Sequence, residues 1–160
     1  MNVRRAVLTE GDRIAGLESA QIRVLHPPRG WPEDPETPLN DQSLVLEVQT
    51  GAVKFLLTGD AESGSLGVLN RLGSGLRSDI LKVPHHGSRE DDEGRDFISL
   101  VKPKIAIISE AEKNRFNLPS AETLDLLRQA GARTYQTGLS GAVEVLTDGK
   151  TITAKAYCEK

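Results

Sequence analysis

Ser43-Leu44-Val45-Leu46-Glu47-Val48-Gln49-Thr50-Gly51-Ala52-Val53-Lys54-Phe55-Leu56-Leu57-Thr58-Gly59-Asp60 is the stretch on which the reading of this chain turns. Two β-rich runs, 43–48 and 53–58, are joined by Gln49-Thr50-Gly51-Ala52, so the segment predicts a hairpin with glycine at its turn. The second run stops at Gly59-Asp60, which sets a carboxylate at the C-terminal edge of a strand.

Downstream, Ala61 to Leu72 carries apolar residues at 66, 69 and 72 and predicts a short amphipathic helix, weakened by Gly64 and Gly67. Ile80 to Val83 reads as a strand that runs into Pro84-His85-His86-Gly87-Ser88. Asp91 to Val101 predicts a helix with Phe97, Ile98 and Val101 turned inward, and Ile105 to Ile108 a strand covered on both faces. Ser120 is placed to cap a helix that ends near Gly131. Segments 134–137, 142–146 and 151–157 read as strands, with Asp148-Gly149 turning between the last two. Upstream, 3–8 and 21–25 have strand composition, while His26 to Leu39 holds five prolines and predicts a surface loop. Hairpins at both ends around alternating strands and helices predict a mixed β-sheet with helices packed on it, an α/β (α+β) class, as a single domain over 1–160.

Bulk properties narrow the functions. The 160 residues, 38% apolar and 27% charged, describe a globular chain able to bury a core. A formal net charge of −3 gives no global field for nucleic acid, so a polyanion would be held locally. The one cysteine, Cys158, excludes an intrachain disulfide and a multi-cysteine zinc site. No apolar run has the roughly 18–20 residues of a membrane span, nor does the start resemble a signal peptide. The expectation is a soluble chain, cytoplasmic if it stands alone and extracytoplasmic if it belongs to a larger membrane protein.

Asp60 and the His85-His86 pair are the candidate chemical residues, because each follows a predicted strand and neighbouring strands bring such ends to one edge. Carboxylate and imidazole suit zinc or manganese. The residues alone leave alternatives open: Asp60 also stands where it would cap the next helix, and a His-His after a strand also suits a capped turn.

Three ordered motifs add to this reading: Leu39-Asn40-Asp41-Gln42-Ser43-Leu44-Val45, Phe55 to Glu62, and Asp79 to Ser88. With Pro103 to Ser109, Asn114, Pro119 and Gly141, they resemble the metallo-β-lactamase domain at the C-terminus of ComEC-type competence proteins, which internalise DNA. Related choline-phosphate esterases are also similar. The resemblance implies the C-terminal half of an αββα sandwich binding two metal ions, Zn or Mn. It implies Asp60 as a bridging ligand, His85 as the last histidine ligand and His86 as the alternate or a substrate-facing residue. Asn40 and Ser43 fall where that family shapes the pocket, Asn40 in a place other branches give to a histidine ligand, and Ser88 is free to meet a substrate oxygen.

The departures matter too. The family's His-x-His-x-Asp-His motif is absent from this chain, whose only histidines are His26, His85 and His86. In Asn114-Arg115-Phe116-Asn117-Leu118-Pro119, Leu118 stands where the family has a histidine. Two functions follow as expectations: a phosphodiesterase or nuclease-type hydrolase acting on DNA or another phosphodiester, weakly active in this form, or a catalytically degenerate half-domain for binding or assembly. The second implies an apolar face that self-associates or meets an N-terminal half-domain. Of the remaining residues, His26 reads as a loop residue, Lys82 and Arg89 as solvated charges, and Trp31 as surface packing.

Overall fold

The computed structural model describes residues 5–17, 19–32, 34 and 36–158. A seven-stranded sheet runs in chain order: β1 (Arg13–Ile14), β2 (Gln21–His26), β3 (Val45–Thr50), β4 (Val53–Leu57), β5 (Ile80–Lys82), β6 (Ile105–Ile108) and β7 (Arg133–Gln136). Its first four strands pair antiparallel and β4 to β7 pair parallel, so the sheet is mixed. The parallel half requires crossovers, and helices supply them: α1 (Ser63–Asn70) and α2 (Asp92–Val101) precede β5 and β6, and α3 (Ala121–Gln129) precedes β7. After the one-turn α4 (Thr137–Ser140), β8 (Val143–Thr147) and β9 (Ile152–Ala156) form a separate antiparallel hairpin.

Most elements lie where their sequence periodicity puts them. Thr50 pairs with Val53, leaving Gly51-Ala52 as a two-residue turn. Ser120 caps α3, its Oγ accepting the Thr123 N–H at 3.0 Å. Phe97, Ile98 and Val101 are buried against Leu56, Leu81 and Ala106 on the helix-covered face. The expected strand over 3–8 is different: residues 5–8 form no strand, and 3 and 4 lie outside the described residues. The edge is made instead by Arg13–Ile14, where Arg13 pairs with Arg23 and Asp12 accepts the Val24 N–H.

The two faces of the sheet are closed differently. On one, Leu25, Val45, Leu56, Leu81, Val83 and Ala106 meet the apolar stripes of the helices in a dry core. On the other, Val53, Ile80, Ile105 and Tyr135 are buried under Val143, Val145, Ile152, Ala154 and Ala156 of the hairpin. This accounts for the near-continuous apolar run of β6, whose residues alternate between the two cores. The hairpin is moored where the Ala52 N–H meets the Gly149 carbonyl at 2.8 Å. It covers only the β4–β7 side: Leu57 is 40% exposed and Ile14 37% exposed toward the antiparallel edge. The bare apolar face expected from half a sandwich is therefore confined to part of the sheet. Among the described residues, no helix is long and apolar enough to cross a membrane.

Candidate functional site

Parallel pairing brings the ends of β4, β5 and β6 to one edge, since Leu57 lies beside Lys82 and Lys82 beside Ile107. The residues just beyond these ends therefore share a rim: Gly59-Asp60 after β4, His85-His86 after β5 and Ser109 after β6. The C-terminal edge of parallel strands is where α/β sheets hold ligands. Thr58 fixes the rim by donating from Oγ1 to the Lys82 carbonyl at 2.8 Å.

The histidines sit on an unusual turn. His85 and His86 both have left-handed backbone, with φ of 39° and 56°. Gly87 continues at φ 74°, where an added Cβ would stand 2.7 Å from the Pro119 side chain. This turn aims the imidazoles apart, their ring centroids 6.2 Å from one another. His86 Nδ1 lies 2.5 Å from the Ser109 carbonyl and His85 Nδ1 lies 2.7 Å from Glu62 Oε1. Both partners accept, so each Nδ1 is the donor in its contact. His86 Nε2 is 3.5 Å from Asp60 Oδ2.

Of the sequence-predicted residues, Asp60 and His86 thus meet directly. His85 pairs instead with Glu62, whose Oε1 also accepts the Asn40 Nδ2–H at 2.9 Å. Ser43 lies beneath Asp60, its Oγ accepting the Asp60 N–H at 3.1 Å. Ser88 lies on the far side of His85, in a cleft shared with Glu62, Ser63, Arg89, Glu90 and Asp91.

Several readings of single residues change. Asp60 does not cap α1. The N-cap is Glu62, in a capping box with Ser65, and buried Asp41 reinforces it by accepting from the backbone N–H groups of Glu62, Gly64 and Ser65 and from Ser65 Oγ, at 2.8–3.2 Å. Gly64 permits this approach, since a Cβ there would lie 2.7 Å from Asp41 Oδ2. Lys82 is not a free surface charge: its ammonium contacts the Gly59 carbonyl and stands 3.4 Å from Asp60 Oδ1. Burial lowers its pKa, and the Asp60 charge opposes that shift. His26 closes β2 and is fully buried, donating from Nδ1 to the Ser43 carbonyl at 2.9 Å. Burial holds its pKa below the ordinary value, and Trp31 packs edge-on against its ring. Arg89 pairs with Glu122 at 2.8 Å. Glu90 is only 7% exposed, and its Oε1 has no hydrogen-bond partner. Burial, with the charges of Asp91 and Glu122, pushes its carboxyl up to about 7.

Asp60, His85 and His86 share the rim, with Asp60 beside His86 and His85 beside Glu62. Among the described residues no group of three or more His, Cys, Asp or Glu is gathered so as to hold a metal ion. A binuclear centre, as the resemblance implies, does not fit these residues alone.

With this geometry in view, the relatives are informative. The chain is 34% identical to ComE operon protein 3 of Bacillus subtilis over 142 residues, 88% of this chain but 18% of that protein. It is 32% identical to competence protein ComA of Neisseria gonorrhoeae, over 66% of this chain and 15% of that one. It is 35% identical to recombination protein 2 of Haemophilus influenzae, over 66% of this chain and 13% of that protein. The chain is homologous to a part of competence proteins. It spans less than a fifth of the length of these relatives. No family model matches it. Its fold is similar to a crystal structure from Parabacteroides distasonis named as a metal-dependent hydrolase, with TM-score 0.53 and 16% identity over 84% of this chain and 58% of that one.

Proposed function

We propose that this chain is the C-terminal portion of a metallo-β-lactamase-type hydrolase domain acting on phosphodiesters, DNA foremost, and that it supplies one edge of the centre rather than the whole. The meeting of Asp60 and His86 on a shared strand edge, with His85 alongside, carries the reading. Each histidine has its Nδ1 proton engaged, by the Ser109 carbonyl or by Glu62, as is usual where Nε2 is to bind a cation. Asp60, His85 and His86 would contribute metal ligands, Zn or Mn. Asn40 would hold Glu62 in place, Ser43 would hold the Asp60 backbone, and Ser88 would face the substrate. The remaining ligands would come from an N-terminal half-domain, which would also cover the part of the sheet that the β8–β9 hairpin leaves open.

Metal-dependent hydrolysis of bis(p-nitrophenyl) phosphate tests this, using the 160-residue chain alone and the same chain fused behind a segment bearing His-x-His-x-Asp-His. Turnover is expected in the fusion and to fall at least 100-fold with Asp60→Asn. Brisk turnover by the chain alone, unchanged by Asp60→Asn, would overturn the proposal.

A further inference from the structure

Beside His86 lies a cleft of about 470 Å³ lined by Ser109, Glu110, Ala111, Asn114, Phe116 and Leu118. Its walls are mostly carbon, and Phe116 stands 64% exposed at its rim. The Asn114 side chain holds the segment like a staple: Oδ1 accepts the N–H groups of Phe116 and Leu118, at 3.2 and 2.9 Å. Nδ2 donates to the carbonyls of Ala111 and Leu118, at 3.0 and 2.8 Å. The Arg115 guanidinium lies 4.7 Å from the ring centroid, adding a cation to the π surface.

We infer that Phe116, with the apolar wall of Leu118 and Ala111, forms a stacking subsite for an unpaired nucleobase in the cleft beside His86. The inference rests on the hydrolase reading above and deepens it. A phosphodiester at the Asp60–His86 edge would carry its neighbouring group into this cleft. An apolar cleft with an aromatic rim suits a planar ring. Stacking needs an exposed base face, which a duplex does not offer, so the ligand class is a single strand. Such a subsite tolerates any base, because every base presents a π face.

The test is fluorescence anisotropy at low salt with the full chain, comparing a labelled mixed-sequence DNA dodecamer with a dodecamer of abasic tetrahydrofuran units. The normal strand is expected to bind more tightly. Phe116→Ala should weaken it by about 5- to 50-fold while leaving the abasic strand unchanged. Phe116→Tyr, which keeps the ring, should retain the preference. Equal binding of the two strands, no binding of either, or a preference that survives Phe116→Ala would overturn the subsite. Turnover in the fusion assay reads separately: turnover without base preference removes the subsite alone, and base preference without turnover removes the hydrolase reading alone.

Discussion

Asp41 and Asp60 stand at the same end of the molecule, one on each side of Ser43, and their surroundings are opposites. Asp41 is 5% exposed and accepts four hydrogen bonds from the first turn of α1 and the residue before it. Asp60 has a side chain 40% exposed, and among the described residues its oxygens meet a lysine at 3.4 Å and a histidine at 3.5 Å. The first carboxylate is a joint with its lone pairs occupied by short, fixed donors. The second is exposed, and its partners stand at ion-pair distance without a short, fixed donor. Glu90 is a third case, a buried carboxyl lacking a donor at Oε1 and therefore drawn toward its neutral form.

The contrast breaks most visibly at the joint. Asp41→Ala removes a buried charged acceptor from the start of α1 while the Glu62–Ser65 capping box remains, so we expect a loss of about 2 kcal/mol in urea unfolding. A loss below 0.5 kcal/mol would mean that α1 is capped by other means.

Glu90 sharpens the comparison through pH. Its folded pKa of about 7 lies above the unfolded value near 4.5, so burial of the neutral acid is fully tolerated below pH 4.5. The associated stability is lost as pH rises through 7. Glu90→Gln should flatten this slope between pH 5 and 8 and raise stability at pH 8 by on the order of 2 kcal/mol. Equal pH slopes in the two proteins would show that the carboxyl ionises in place without cost. The smallest effect is expected at Asp60. Asp60→Asn should shift unfolding by less than about 0.5 kcal/mol, because exposed ion pairs contribute little. A larger loss would recast Asp60 as structural.

How much of this was legible beforehand follows from which forces are local. The hairpin, the two-sided apolar run of β6 and the Ser120 cap were readable, because periodicity and capping chemistry act within a few residues. Asp60, His85 and His86 were readable as a group through ordered motifs at strand ends. The division of labour among acidic residues was not. Asp41 and Asp60 are the same residue type beside the same helix, and the tertiary path of the chain places Asp41, 21 to 24 residues away in sequence, on the first turn of α1. Glu62 and Lys82 joined the site through strand register, which no single segment encodes. His26 between Leu25 and Pro27 reads as loop, yet it ends a central strand and fills the core.

The paired left-handed histidines have a consequence for the chain's mutability. Residues with a Cβ occupy that backbone at a cost of about 1 kcal/mol each, histidine more readily than most. Glycine at position 85 or 86 would thus relieve the backbone in the same stroke that deletes an imidazole. At this turn, easing the backbone and keeping an imidazole on the rim are opposed demands on the same two positions.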